Sequence, residues 1–474
     1  MADNKEQLYQ ERLRRYVTAM RKGKPDRVPI RPFVAEFIGE YAGYNCQDLA
    51  QDFQNAFDAT LKCCKDFDWD ATVPNMVYGW AGLTQAIGMK YYAVPGIHIP
   101  ATYGFQYVEP SEDEAWMQPA EYDPFIADPV GWLYNVWLPR VSADVVPPGK
   151  PNTYRNNLSF VKGGMAMLHY FSSFGTQIAR MRSEAGTVSA ISGILKAPLD
   201  IIADKFRGYL GLCSDLMEHP KKVQELCEAL MPHMLHVALM GADPNKNVPV
   251  GLWMHRGCVP FVSFEHFETI FWPTLKPIVE ELWARGHQTL FYAEGKWGPH
   301  LKHFRDLPDA SIVFHCDKDD IFEVHRVLGD KFCISGGVPN HLLSIGTPQQ
   351  VREYCKKLIN GVGRDGGFIM DAQAIVQNDA KIENIRAMTE ATREFGAYSS
   401  GVNATIPEPK SPRPPRDYIA EMVQTKIRPG ACVHWEDIIK EWPPITSKAD
   451  MVKRVWENVD ALGYLYIWQC VESF

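Results

Sequence analysis

Six polar side chains stand just after short apolar runs. Glu36 follows Val28-Pro29-Ile30, and Asn75 follows Ala71-Thr72-Val73. His255 follows Val250–Met254, Glu294 follows Leu290-Phe291-Tyr292, His315 follows Ile312-Val313-Phe314, and Asp371 follows Phe368-Ile369-Met370. Such runs read as buried strands, which places each polar residue at a strand's C-terminal end. Glu294 and His315 could share a metal ion through oxygen and nitrogen donors. Equally, Glu294 could be a carboxylate satisfied by a loop amide or by Lys296, and His315 a core histidine bonded to a carbonyl. His255 and Asp371 read as a third ligand, a proton donor or a substrate hydrogen bonder. Glu36 and Asn75 either orient a substrate or cap loops. Cys316 and Asp317 adjoin His315, but neighbours on a strand point to opposite faces, which weakens Cys316 as a co-ligand. Phe33, Tyr78, Trp80, Tyr292 and Trp297 could wall a slot for a flat ring, or simply pack.

The elements that must position these residues follow from the same runs. Strand starts at Val28, Ala71, Val188, Val248, Leu290, Ile312, Phe332 and Phe368 make eight. Most are followed by 12–20 residues of helical periodicity. Within Thr347–Asn360, the Thr347-Pro348 start with Gln350 three residues on reads as a capping box. Residues 5–21 read as a helix, and the stripe Leu226, Leu230, Met234, Val237 as its core-facing counterpart in 223–240. Eight strand–helix units predict an α/β fold, a closed (β/α)8 TIM-type barrel, with a doubly wound open sheet as the alternative. The barrel occupies 1–398, with a long aromatic- and proline-rich insertion at about 75–187. Residues 399–416 form an extended proline-rich connector. Residues 417–474 form a helical extension, either a subdomain or an oligomerisation element that would make a homodimer.

Composition narrows the function classes. The 474 residues are 46% hydrophobic and 22% charged, with a formal net charge of −8. Lys and Arg are scattered, so nucleic acid is not an expected partner. The 11 cysteines include no CxxC pair, the N-terminus is polar, and no window approaches 18 apolar residues. The expected setting is therefore a reducing cytoplasm, with no export and no membrane span. There is no GxGxxG before a helix and no Walker A motif.

Four stretches in this order and spacing resemble the uroporphyrinogen-decarboxylase-like superfamily. They are Asp26–Pro32 with Gly39 and Asp68-Trp69-Asp70-Ala71; Pro198–Gly208 with Asp215–Val223; Phe261–Glu265 with Trp272-Pro273 and Gly286-His287; and Ile334–Pro339 with Leu342-Leu343, Gly346-Thr347-Pro348 and Glu383-Asn384-Ile385. They cover most of residues 8–395, and the family fold is a (β/α)8 barrel. The family's decarboxylases carry an Arg-Gln-Ala-Gly-Arg-Tyr clamp for porphyrinogen carboxylates. Here that place reads Arg31-Pro32-Phe33-Val34-Ala35-Glu36, without the clamp. The thiol-methylating branch holds zinc through His-x-Cys and a distal Cys. Tyr292-Ala293-Glu294 stands at the first place, and the second falls near Ala374.

The chain is most similar in kind to the corrinoid-linked methyltransferases of aryl methyl ether O-demethylases. That resemblance implies zinc as cofactor, held in part by Glu294 and His315 at the branch's Glu-to-His spacing. It implies zinc as Lewis acid on the ether oxygen of a small aromatic methyl ether. It also implies methyl transfer to Co(I) of cobalamin on a separate corrinoid protein, because the Asp-x-His-x-x-Gly cobalamin motif is missing from this chain. His255 or Asp371 would then protonate the phenolate. Other methyl donors or acceptors, a decarboxylase, and a non-catalytic scaffold docked through the tail are the alternatives, since one barrel hosts many chemistries.

Overall fold

A computed structural model describes residues 2–75, 80–398, 408–417, 421 and 425–473. The apolar runs form parallel strands. Ile194–Lys196, Val250–Met254, Thr289–Ala293, Ile312–Cys316, Cys333–Val338 and Phe368–Ala372 lie side by side in chain order. Every residue of the last five is buried. That is what a sheet covered by helices on its outer face requires. Ala71–Thr72 pairs in parallel with Val188–Ser189. Ile30 bridges Met370 in parallel, and its carbonyl accepts the N–H of Asp70 and Ala71. Eight segments thus succeed one another around a TIM-type α/β barrel, as the strand count predicts.

Two departures have simple causes. The first segment is reduced to bridges at Ile30 and Val34, because Pro29 and Pro32 have no N–H to add to a ladder. The third is broken into Val188–Ser189 and Ile194–Lys196. Gly193 turns the chain between them at φ +68°, where its Cα approaches Gly241 too closely for any side chain. Each half then pairs with a different neighbour.

Helices wrap the sheet. Pro348–Leu358 opens with the expected reciprocal Thr347–Gln350 capping box. In Pro220–Gly241, Leu226, Leu230 and Met234 are fully buried. The insertion carries a small antiparallel hairpin, Tyr92–Ala93 with Gln106–Tyr107, and the long helix Tyr154–Arg180. Residues 408–416 of the connector lie along the helix Trp272–Ala284: Trp283 Nε1 donates to Lys410 O, and Arg413 pairs with the buried Glu281. The C-terminal helix Ala449–Ser473 packs on the rest of the chain through its second half. Tyr464, Ile467, Trp468 and Val471 are fully buried, Tyr134 Oη donates to Gly463 O at 2.6 Å, and Tyr464 Oη lies 2.8 Å from His233 Nδ1. Among the described residues no helix is long and apolar enough to cross a membrane.

At the other end of the barrel, Asp70 is buried among arginines. Arg15 reaches it at 2.5 Å, Arg27 at 2.8 Å through both nitrogens, and the Ile30 N–H at 2.8 Å. Burial alone would raise its pKa, but Arg27, Arg15 and Arg12 outweigh that and hold it below the ordinary value of 3.8. Its contribution to stability is therefore present above 3.8 and is lost as pH falls through the lower, folded-state pKa. We expect Asp70→Ala, which strands buried guanidinium groups, to cost about 3–5 kcal/mol, read as a lower denaturant midpoint. An unchanged midpoint would show that the cluster does not support the fold.

Candidate active site at the barrel mouth

The C-terminal ends of the strands converge on one mouth. A cavity of about 470 Å3 opens there, lined by Tyr292, Glu294, Asp317, Asn340 and Gln373 among others. Glu294 stands at its edge with a half-exposed side chain and faces His255, whose Nδ1 lies 3.9 Å from Glu294 Oε2.

His255 is held from behind. Its Nε2 lies 3.0 Å from Asp204 Oδ1, which also accepts Arg256 Nε at 2.9 Å. Lys196 Nζ reaches Asp204 Oδ2 at 3.2 Å. One turn earlier, Asp200 Oδ1 accepts the backbone N–H of His255 at 2.7 Å and of Arg256 at 3.0 Å. The segment Pro198–Arg207 places the two carboxylates on one face at i and i+4. Burial would raise the Asp204 pKa, but His255, Lys196 and Arg256 hold it well below the usual carboxylate range. Burial would lower the His255 pKa, but Asp204, Asp200 and Glu294 raise it above the ordinary 6.5. With Nε2–H turned to an ionised carboxylate, Nδ1 carries the second proton. Nδ1 has no hydrogen-bond partner among the described residues. The arrangement is an acid fixed through Nε2, with its second proton on a solvent-shielded Nδ1 that lies 3.9 Å from both Asp200 Oδ1 and Glu294 Oε2.

His315 has a different setting. It is fully buried inside the barrel, its ring stacked 4.2 Å from Tyr292. Its Nε2 lies 2.9 Å from Gln373 O, a pure acceptor, so Nε2 carries the proton. Nδ1 then accepts from Ser335 Oγ at 3.1 Å and faces Arg31 Nη2 at 3.5 Å. Burial and the Arg31 charge push the His315 pKa well below its usual value, leaving the ring neutral. Asp371 completes this inner group. Its Oδ1 accepts the N–H of Phe33 at 3.2 Å and of Ala372 at 2.7 Å, and its Oδ2 lies 3.4 Å from Arg31 Nη2. Burial pushes its carboxyl up to about 7, against the pull of Arg31. Arg31 also lies 4.1 Å over the Phe33 ring.

The six sequence-marked residues thus divide. Glu294 and His255 come together at the mouth, and His315 and Asp371 inside the barrel. No hydrogen bond or ion pair joins Glu294 to His315 among the described residues. Both nitrogens of His315 are engaged, the carbonyl-bonded reading of that residue. Nor is any group of three or more His, Cys, Asp or Glu side chains arranged to hold a metal among the described residues. His315 therefore offers no nitrogen to a zinc ion shared with Glu294 while its contacts to Gln373 and Ser335 persist.

The other marked positions have mainly structural contacts. Glu36 is buried under the insertion, whose Gly104 comes so close that a Cβ there would meet Glu36 Oε1 at 2.5 Å. Asn75 Nδ2 donates to Tyr170 Oη of the long insertion helix at 3.2 Å. Trp297 is fully buried among Phe271, Phe291 and Phe304, and its Nε1 donates to Glu294 O at 2.9 Å. It positions Glu294 instead of lining a slot. Trp80 packs on Phe53 and donates to Gln51 O. Tyr78 lies outside the described residues. Tyr292 does line the cavity. Asp200, Asp204, Lys196, Arg256 and Arg31 were not marked. The i,i+4 aspartates after a strand were the available signal for the first two.

Residues 165–395 match the family model described as uroporphyrinogen decarboxylase (URO-D). The match runs from the long insertion helix to the helix Ile382–Phe395, so this stretch is similar to the family. Among solved structures, a methyltransferase from Methanosarcina mazei aligns with a TM-score of 0.51 at 14% identity, over 80% of this chain and 98% of that one. That likeness is one of fold. A search of curated proteins finds no match.

The His255 environment makes a direct prediction. Its imidazole should titrate above 6.5 by NMR, and Asp204→Asn should lower that pKa by about one unit or more. A pKa that stays put in Asp204→Asn would remove Asp204 as the group that charges the ring.

Proposed function

We propose that this chain is a methyltransferase that cleaves a small aromatic methyl ether and delivers the methyl group to a separate corrinoid protein. The observation that carries the reading is the Asp204–His255 pair beside Glu294 at an open barrel mouth. Support comes from the family-like motifs, from the URO-D match over 165–395, and from the fold shared with a protein titled methyltransferase.

An aryl methyl ether is unreactive because phenolate leaves poorly. When docked, the partner's cobalamin supplies Co(I) as nucleophile. The work of this chain is to bind the ring and stabilise the leaving oxygen. His255 does the second, its Nδ1–H donating to the ether oxygen as the methyl–oxygen bond breaks, so that a neutral phenol departs. Asp204 stays ionised throughout, held by Lys196 and Arg256, and keeps the imidazole oriented. Glu294, 3.9 Å from Nδ1, favours the protonated ring before the reaction. The product phenol leaves His255 neutral, to be reprotonated from solvent through the mouth.

Zinc on the ether oxygen, held by Glu294 and His315, is the second reading. It is favoured by the half-exposed Glu294 carboxylate at the cavity edge. It requires His315 to exchange its Gln373 bond for the metal. One zinc per purified chain, lost in both Glu294→Ala and His315→Ala, would establish it. Active, metal-free protein would leave His255 as the sole aid to the leaving group.

The main test supplies a reduced corrinoid protein and a methoxylated aromatic. Wild type should release phenol in step with corrinoid methylation, and His255→Gln should slow this about 10²- to 10⁴-fold. Release of carbon dioxide from an aromatic acid without any corrinoid would replace this reading with a decarboxylase.

A further inference from the structure

The outer face of the long insertion helix Tyr154–Arg180 is apolar and uncovered. Five large residues on it, Tyr154, Leu158, Val161, Met165 and Leu168, are each between 44% and 80% exposed. The same face continues through Ser172, Gly175 and Ala179, which are exposed as well. These positions alternate steps of four and three residues without a break, and none carries a charge. That spacing averages about 3.5 residues per turn and is the seam of a coiled coil. The opposite face is spent within this chain: Ser159, Gly163, Met167, Tyr170 and Gln177 are buried there. The five large residues expose roughly 600 Å2, most of the ~800 Å2 that each partner brings to a stable interface.

The seam fits its own reverse. Turned antiparallel about a two-fold axis between Met165 and Leu168, the helix sets Met165 against Leu168 and Val161 against Ser172. Further out it sets Leu158 against Gly175 and Tyr154 against Ala179. The large residues of the N-terminal half meet the small ones of the C-terminal half, and two flexible chains of similar size meet at the axis. Parallel pairing would crowd Tyr154 on Tyr154 and leave Gly175 facing Gly175 across a void. Glycine weakens a helix, and no atom among the described residues lies within 4 Å of a Cβ built at Gly175. Packing inside the chain gives no reason for that glycine, whereas a seat for Leu158 of a second copy does. A lipid surface or an unrelated protein would need no such match between the two halves of one helix. We propose that two copies of this chain pair through this helix as an antiparallel, two-fold dimer. The insertion helix is then held on both faces, by its own chain on one and by the second copy on the other.

Sedimentation equilibrium of the full chain tests this. Wild type should have twice the mass of one chain at micromolar concentration. Met165→Glu, which sets two charges beside the axis, should raise the dissociation constant about 100-fold or more. Gly175→Leu fills the seat of Leu158 but meets open space within its own chain. It should weaken the dimer while the thermal midpoint of the diluted monomer holds or rises. Leu158→Cys combined with Gly175→Cys should give a disulfide-linked dimer on mild oxidation, and Leu158→Cys alone should not. A monomeric wild type would overturn the proposal, including one that binds lipid vesicles or a corrinoid protein by this face. So would a dimer that Met165→Glu and Gly175→Leu both leave intact, or crosslinking by Leu158→Cys alone.

Discussion

The hydrogen bond between His255 and the buried Asp204 carboxylate is the interaction on which the mouth depends. A carboxylate removed from water is tolerated only with compensating charge and hydrogen bonds. Asp204 has three cationic neighbours, His255, Arg256 and Lys196, and each belongs to a different demand of the fold. Lys196 ends the third barrel strand and His255 follows the fourth, so the carboxylate ties adjacent strand ends together. Asp200, one turn away, accepts backbone N–H groups, has His255 Nδ1 only at 3.9 Å, and its pKa is raised by burial against the pull of His255. Two aspartates of one segment are thus driven in opposite directions by their surroundings. That division leaves one firm anion on Nε2 of the imidazole and, on Nδ1, a buried proton without a hydrogen-bond partner among the described residues.

The remaining architecture serves to hold and cover that arrangement. The insertion folds over the first strand ends, with Gly104 against Glu36 and Tyr170 against Asn75. The C-terminal helix packs on the insertion through Tyr134 and on the barrel helices through His233. The inner group of Arg31, Asp371 and His315 sits beneath as a closed polar layer whose neutral imidazole and high-pKa carboxyl limit the charge buried with Arg31.

Much of this was legible from sequence, for identifiable reasons. Strands buried on both faces are short apolar runs with sharp boundaries, so their C-terminal ends, and the polar residues just past them, could be read directly. His255 and Glu294 stand just past their strands as that reading has it, whereas His315 and Asp371 lie within theirs, one residue before the end and buried inside the barrel. Their partnerships were not legible in the same way. Whether His315 turns to Glu294 or to Gln373 O depends on side-chain direction, which periodicity does not carry. Trp297 reads as a slot wall because it is aromatic and near the mouth, yet Phe271, Phe291 and Phe304 take it into the core. Asp204 escapes that reading because it lies in the helical segment after the third strand, one turn beyond Asp200, and not at the strand end itself. The broken third strand was hidden in Ser192-Gly193, two residues that read as an ordinary boundary.

The pH dependence of single-turnover methyl transfer tests the central claim most directly. A protonated His255 should give a rate that is high at low pH and falls as pH rises through the imidazole pKa, with Asp204→Asn shifting the fall to lower pH. A rate that is flat across this range in wild type, and equally flat when His255 is replaced by Gln, would contradict the account.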